Sequence, residues 1–207
     1  MWVRLILIRH AESEHALRGI IAGVSSCTGL TARDIEQADT LADRLRISGE
    51  LGDVNALLSS PVLRARQTAE VLAGVLPGVS IEEDCNLCEL HWGEADGLSW
   101  HAYEKTYGAF DLVTSPNRLF SPGGDSWQDF LSRVGTTLDR LAVRFEGQTV
   151  VAVSHSAFIM ASILVIFAIP RPGTGARLDP AYTSLTEWRV SGARWQLVCY
   201  NNAGHLL

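Results

Sequence analysis

The chain has 207 residues, 47% of them hydrophobic and 19% charged, with a formal net charge of -6. That composition carries enough apolar mass for a sizeable core and excludes a disordered chain. The acidic balance argues against nucleic acid, whose phosphates demand a basic surface, yet leaves room for a small phosphorylated ligand, because a few arginines inside a cleft outweigh the global field.

Taken in order, the apolar run Leu5-Ile6-Leu7-Ile8 predicts a buried strand over 3–8 that ends in Arg9-His10-Ala11-Glu12-Ser13. A loop rich in Gly, Ser and Thr covers 23–29. A helix follows over about 31–48, with Thr31 as N-cap, Asp34 three residues on, and the apolar stripe Ile35, Ala38, Leu41, Ala42 and Leu45. Gly49 ends it. Ala56-Leu57-Leu58 reads as a short strand, and Ser59-Ser60-Pro61 as the cap and start of a helix over about 61–75. After Pro77-Gly78, Val79-Ser80-Ile81 reads as a third strand, and Cys85 to Leu90 returns to the sheet rim.

Residues 92–125 differ in kind, with glycines, prolines and several aromatic residues, and close on Ser121-Pro122-Gly123-Gly124. They are expected to form an irregular, cap-like insertion with a short helix near 99–107; a long loop in a compact domain is usually functional. A helix over 126–146, starting at Asp125 or Ser126, a strand over 149–154 and a helix over 156–168 follow. Strands near 184–190 and 194–200, joined by Ser191-Gly192-Ala193, read as a hairpin. The apolar stretch Ala157 to Ile169 has 13 residues, short of the ~20 that span a bilayer, so no membrane association is expected.

Strand–helix alternation implies one α/β domain over 1–207: three layers, α/β/α, around a mainly parallel sheet with an antiparallel edge strand. Arg9-His10, the Ser59-Ser60 turn, Glu89 and His155 all follow strands and converge at the carboxyl edge of the sheet, where α/β proteins bind ligands. Two histidines, two arginines and a carboxylate gathered there suit phosphate handling.

Of the four cysteines, Cys85 and Cys88 have metal-type spacing, but no second pair accompanies them. A four-ligand zinc site would draw on Cys27, Cys199 or distant histidines, so ordinary thiols and no metal are expected. The short stretch before Arg9-His10 leaves no room for a secretory signal, and a cytoplasmic location is expected.

These residues resemble the histidine phosphatase superfamily, the phosphoglycerate-mutase-like fold. Arg9-His10-Ala11-Glu12-Ser13 is similar to its naming Arg-His-Gly motif, and Ser59-Ser60-Pro61-Val62-Leu63-Arg64-Ala65-Arg66-Gln67-Thr68-Ala69 to its second signature. Glu89, followed by Gly93 and Gly97, falls in its acid/base segment. Ser154-His155-Ser156 matches its second histidine, and Pro122-Gly123-Gly124-Asp125-Ser126 a further element. The resemblance implies His10 as nucleophile, Glu89 as proton donor, and Arg9, Arg64 and His155 as phosphoryl-binding groups. It implies metal-independent hydrolysis of a phosphomonoester of a small metabolite through phosphohistidine, with no cofactor. Phosphoglycerate mutase-type phosphoryl transfer and a silent phospho-ligand binding module are the alternatives.

The chain departs from the family pattern at four positions. Ala11 and Ser156 replace glycines; the Ser156 hydroxyl either reaches the phosphoryl group or caps the following helix, with capping favoured. Ala16 stands where many members carry an Asn that touches the phosphoryl group, and Cys27 near an acidic position of the mutases. Substrate discrimination is expected in 91–125, with His91 and His101 in the cap, and at Arg171 or Arg177. His15 and His205 are expected at the surface or the substrate edge, and Trp92, Trp100 and Trp127 in the cap core. Oligomeric state is not legible.

Overall fold

A computed structural model describes residues 1–109, 112–169 and 178–207; Arg171 and Arg177 lie outside the described residues. Six strands form one sheet in the order β3-β2-β4-β1-β5-β6: β1 (Val3–Arg9), β2 (Val54–Ser59), β3 (Ile81–Glu83), β4 (Thr149–Ser154), β5 (Leu185–Ser191) and β6 (Arg194–Asn202). β1 pairs parallel with β4, β4 with β2, and β2 with β3, whereas β5 runs antiparallel to both β1 and β6.

Both faces are covered, so the middles of the central strands, residues 5–8 of β1 and 150–153 of β4, are apolar at consecutive rather than alternate positions. Leu5 and Leu7 of β1 and Val150 and Ala152 of β4 face one core, against α5 (Trp127–Arg144) and α6 (Ser156–Ile166). Ile6, Ile8, Val151 and Val153 face the other, against α2 (Ala32–Ser48) and α3 (Leu63–Ala73). Among the described residues no helix is long and apolar enough to cross a membrane.

Most elements follow the sequence, with five differences. A short α1 (Glu14–Leu17) rises where no helix was expected. In α2, Thr31 and Asp34 form a reciprocal capping box, and Asp34 is buried while Ile35 is 37% exposed. The cap thus rotates the first turn, and the apolar stripe begins at Ala38. β3 is shifted from 79–81 to 81–83, because its ladder is set by pairing with Leu57, Leu58 and Ser59; Val79 packs beside the sheet instead. Helix α3 begins at Leu63 with Val62 in the cap position and no side-chain cap, so Ser59-Ser60-Pro61 does not cap it. The two hydroxyls are turned inward for other partners. Finally, α6 ends at Ile166.

The 92–125 segment carries α4 (Trp100–Tyr107), opened by Ser99, whose side chain accepts the Ala102 N–H. Its aromatic residues Trp92, Tyr103 and Phe120 are buried in the core that holds Trp127 and Phe130. Gly93 has φ +57°, and a Cβ there would lie 2.2 Å from the Pro122 carbonyl oxygen. Only glycine lets these two segments of the cap approach so closely; Gly124, whose Cβ would meet the His91 carbonyl at 2.7 Å, reciprocates.

Candidate active site

The parallel register brings the ends of β1, β2 and β4 level: Arg9 lies opposite Ser154, and Ser59 opposite Val153. The His10 N–H extends the ladder by donating to the Ser154 carbonyl at 3.0 Å, as the Ser60 N–H does to Val153 at 3.0 Å. His10 and His155 therefore stand side by side, ring centroids 5.0 Å apart. A cleft of about 170 Å³ opens above them, lined by Arg9, His10, Arg64, Glu89 and Ser156, with Ala16, Ile20, Trp92, Trp100 and Tyr182 among its walls.

The hydrogen bonds fix the imidazole tautomers. His10 Nδ1 is 2.6 Å from the carbonyl oxygen of Ala11, which only accepts, so Nδ1 carries the proton. Nε2 then holds a lone pair, and Arg64 Nε donates to it at 2.9 Å. His155 is set the opposite way. Arg64 Nη2 donates to its Nδ1 at 3.1 Å, and Nε2–H donates to Ser60 Oγ at 2.9 Å. Ser60 passes its own proton toward Cys88 Sγ at 3.3 Å. Both rings are nearly sealed, His10 5% and His155 0% exposed. Burial first, and the Arg64 charge second, hold both well below the ordinary histidine range, so both are neutral near pH 7.

Arg64 is the hub. It sits 5% exposed in the first turn of α3, and Nη1 is tied to the Ala22 carbonyl at 2.7 Å. Thr68, one turn on, accepts the Ala11 N–H at 3.0 Å and donates to the Arg64 carbonyl at 2.8 Å. This bond couples the helix to the His10 loop. Arg9 stacks its guanidinium 3.8 Å from the Tyr182 ring centre. Its Nη1 donates to Asp179 at 3.2 Å and to the Pro180 carbonyl. Arg9 Nε is buried with no partner among the described residues, which leaves a strong donor in reserve.

Glu89 is the carboxylate that lines the cleft among the described residues. Oε1 accepts the Ala157 N–H at 3.0 Å, and Oε2 lies 3.7 Å from Arg64 Nη2. The loop that carries it is clamped by Arg133, which donates to the carbonyls of Cys88 and Glu89 and to Asp125 Oδ2 at 2.9, 2.8 and 2.7 Å. Glu94 and Glu12 do not line the cleft. Ser156 is the first residue of α6, His155 occupies the cap position, and the Ser156 hydroxyl donates to Asp179 at 3.2 Å. The expected capping by Ser156 is therefore not made. Glu89 instead serves an N–H of the first turn, one of the donors that a helix start leaves open.

The structure brings His10, Arg9, Arg64, Glu89 and Ser156 around one cleft, whereas His155 does not line it: the ring is fully buried behind Arg64 and His10. His15 stands in the lining, at the substrate edge as expected; the partly exposed Trp100 lies on the wall rather than in the cap core, and His101 is outside it. Sequence reasoning missed Ser60 as the partner of His155, although it lies in the second signature, and missed Tyr182 and Asp179. Those two sit in a segment without a motif. They are brought in because the Thr183 N–H and the Ser184 carbonyl bracket the Arg9 backbone at 3.0 and 3.2 Å.

Known proteins share this chain's sequence and fold over nearly its whole length. A bifunctional protein of Mycobacterium tuberculosis is 31% identical over 98% of this chain, which spans 55% of that protein's length. A metal-independent phosphoserine phosphatase of Arabidopsis thaliana is 28% identical over 98% of this chain and 82% of its own. The crystal structure of a mutant phosphoserine phosphatase from Entamoeba histolytica, in complex with phosphoserine, superposes with a TM-score of 0.79 and 26% identity, over 99% of this chain and 100% of that one. The family model of the histidine phosphatase superfamily, branch 1, matches residues 5–203, and the chain belongs to that superfamily.

Proposed function

We propose that the chain hydrolyses a phosphomonoester of a small metabolite through a phosphohistidine formed at His10 Nε2. The observation that carries this reading is the His10 tautomer. With Nδ1–H spent on the Ala11 carbonyl, the lone pair of Nε2 is free for attack once Arg64 turns its Nε–H to the substrate. An arriving phosphoryl group offers oxygens that accept from Arg64 more strongly than neutral imidazoles do.

In the first step the Nε2–P bond forms and the P–O ester bond breaks. Glu89 gives its proton to the leaving oxygen, which would otherwise depart as a poor alkoxide. In the second step Glu89 takes a proton from water, whose oxygen attacks phosphorus, and the Nε2–P bond breaks with release of phosphate. Arg64, Arg9 and Ser156 hold the phosphoryl oxygens. His155 backs them from below: its neutral Nδ1 accepts from Arg64 Nη2 and so positions the guanidinium. No step calls for a metal or cofactor. The Glu89 side chain is 25% exposed, which suits water as the acceptor and favours hydrolysis over transfer to a second substrate.

The related phosphoserine phosphatases make O-phosphoserine the first substrate to test. The partner class is a small phosphorylated metabolite rather than nucleic acid. All four cysteines are free thiols, which fits a reducing, cytoplasmic setting. The test is phosphate release from a panel of metabolite phosphates beside the His10→Ala variant. Release by the wild-type chain, absent in folded His10→Ala, is expected; equal release by the variant refutes the nucleophile. No release from any member of the panel favours the silent module.

A further inference from the structure

We infer that Cys85, Cys88 and His91 form a binding site for a soft divalent cation of the zinc class, with one coordination position open to solvent. The residues lie in a loop built to hold them. Cys85–Leu87 is a single tight turn, closed by the Cys88 N–H on the Cys85 carbonyl at 3.0 Å and capped by the Asp84 side chain. The two sulfurs are 3.6 Å apart, and His91 Nε2 lies 3.6 Å from Cys85 Sγ. All three donor atoms fall within 4.8 Å of one another. A tetrahedral ion with Zn–S near 2.3 Å and Zn–N near 2.0–2.1 Å has ligand–ligand edges of about 3.8 Å for sulfur–sulfur and about 3.6 Å for sulfur–nitrogen. Two of the three edges are thus already at coordination length.

The surroundings fit a metal-bound imidazole. His91 Nδ1 lies 3.3 Å from Asp125 Oδ1, which directs the lone pair of Nε2 toward the sulfurs. A carboxylate behind a ligating histidine is the usual orienting partner in zinc sites. Asp125 is itself fixed, accepting the His91 backbone N–H at 3.0 Å and Arg133 at 2.7 Å. Cys88 is buried, His91 half-buried and Cys85 exposed, so the ion has an entry path and a wet fourth position. On loading, two S–H protons leave to solvent and two metal–thiolate bonds form.

The site was not apparent in the chain because Cys85-Asn86-Leu87-Cys88 lacks a second cysteine pair; the third ligand comes from the cap boundary three residues on. None of the three donors lines the cleft around His10. Yet Cys88 precedes Glu89, and its sulfur accepts the Ser60 hydroxyl, so the ion sits on the loop of the proposed proton donor.

The test uses the reduced, metal-free 207-residue chain in a phosphine reductant, titrated with Co²⁺ and then Zn²⁺. One Co²⁺ is expected to bind with thiolate-to-cobalt charge-transfer absorption and the visible bands of a four-coordinate ion, and one Zn²⁺ to displace it. Cys85→Ser and His91→Gln, both checked as folded by circular dichroism, are expected to lose the charge-transfer band or its imidazole-dependent affinity. They should weaken Zn²⁺ by more than the ~10–100-fold typical of losing an outer partner, whereas Cys27→Ser and Cys199→Ser retain wild-type binding. A missing charge-transfer band in the wild type, or unchanged Zn²⁺ affinity in Cys85→Ser and His91→Gln, overturns the site.

Discussion

Ser60 offers a sharp test of how the second histidine is held. Its hydroxyl is fully buried, accepts the His155 Nε2–H at 2.9 Å and donates to Cys88 Sγ at 3.3 Å. Ser60→Ala removes one oxygen and leaves the Nε2–H of a 0% exposed ring without an acceptor. An orphaned buried donor costs about 1–3 kcal/mol. For a chain of this size that corresponds to a fall in Tm of roughly 2–12 °C. The ring also loses the bond that fixes its tautomer and aims Nδ1 at Arg64. If a similar energy is withdrawn from the phosphoryl transition state, kcat drops roughly 5- to 150-fold. The assays are thermal unfolding at pH 8 and steady-state hydrolysis of an aryl phosphate. A variant that unfolds earlier but turns over at the wild-type rate refutes the reasoning, because Ser60 would then support packing and not His155. An unchanged Tm refutes the hydrogen-bond assignment itself.

Further expectations concern protons and metals. Glu89→Gln should slow alkyl phosphates by ~10²–10⁴-fold and aryl phosphates much less, since a phenolate leaves with little protonation; equal losses in the two series argue against the donor role. Stability should fall as pH drops below about 6.5, the unfolded histidine value, because His10 and His155 resist protonation in the fold while the unfolded chain takes up protons. The unfolded state binds more protons in that window, so stability rises with pH there, with a slope of up to ~1.4 kcal/mol per pH unit for each histidine. The half-buried His205, lowered by burial and Arg44, adds in the same sense. Urea midpoints from pH 5 to 8 measure this, and a flat profile contradicts the burial argument. Chelator treatment should leave phosphate release unchanged, even where it strips an ion from the cysteine loop; inhibition that added metal reverses would contradict the metal-free reaction scheme.

Much of the fold was legible because the periodicities are strong and local. The continuous apolar runs 5–8 of β1 and 150–153 of β4 announce a sheet covered on both faces, and α2 and α5 carry side-chain caps at Thr31 and Ser126 that the sequence displays. Register was less legible. β3 slid two residues because its pairing partners, not its own apolar content, fix where the ladder begins. Ser156 reads as a helix cap by residue type, but a cap is a contest for N–H groups in space, and Glu89 from a distant loop reaches the Ala157 N–H.

The same division holds for the site. The sequence by itself determined which groups end the parallel strands, because strand ends in a parallel sheet share one edge: Arg9-His10 after β1 and His155 after β4 had to meet there. Only the tertiary structure decided what those groups are to one another. Arg64 Nε and Nη2 select which nitrogen of each histidine keeps its lone pair, Ser60 fixes the far side of His155, and Tyr182 backs Arg9 from a segment with no motif. Hydrogen-bond direction depends on angstrom-scale contacts between residues far apart in the chain, and residue order does not encode such contacts locally.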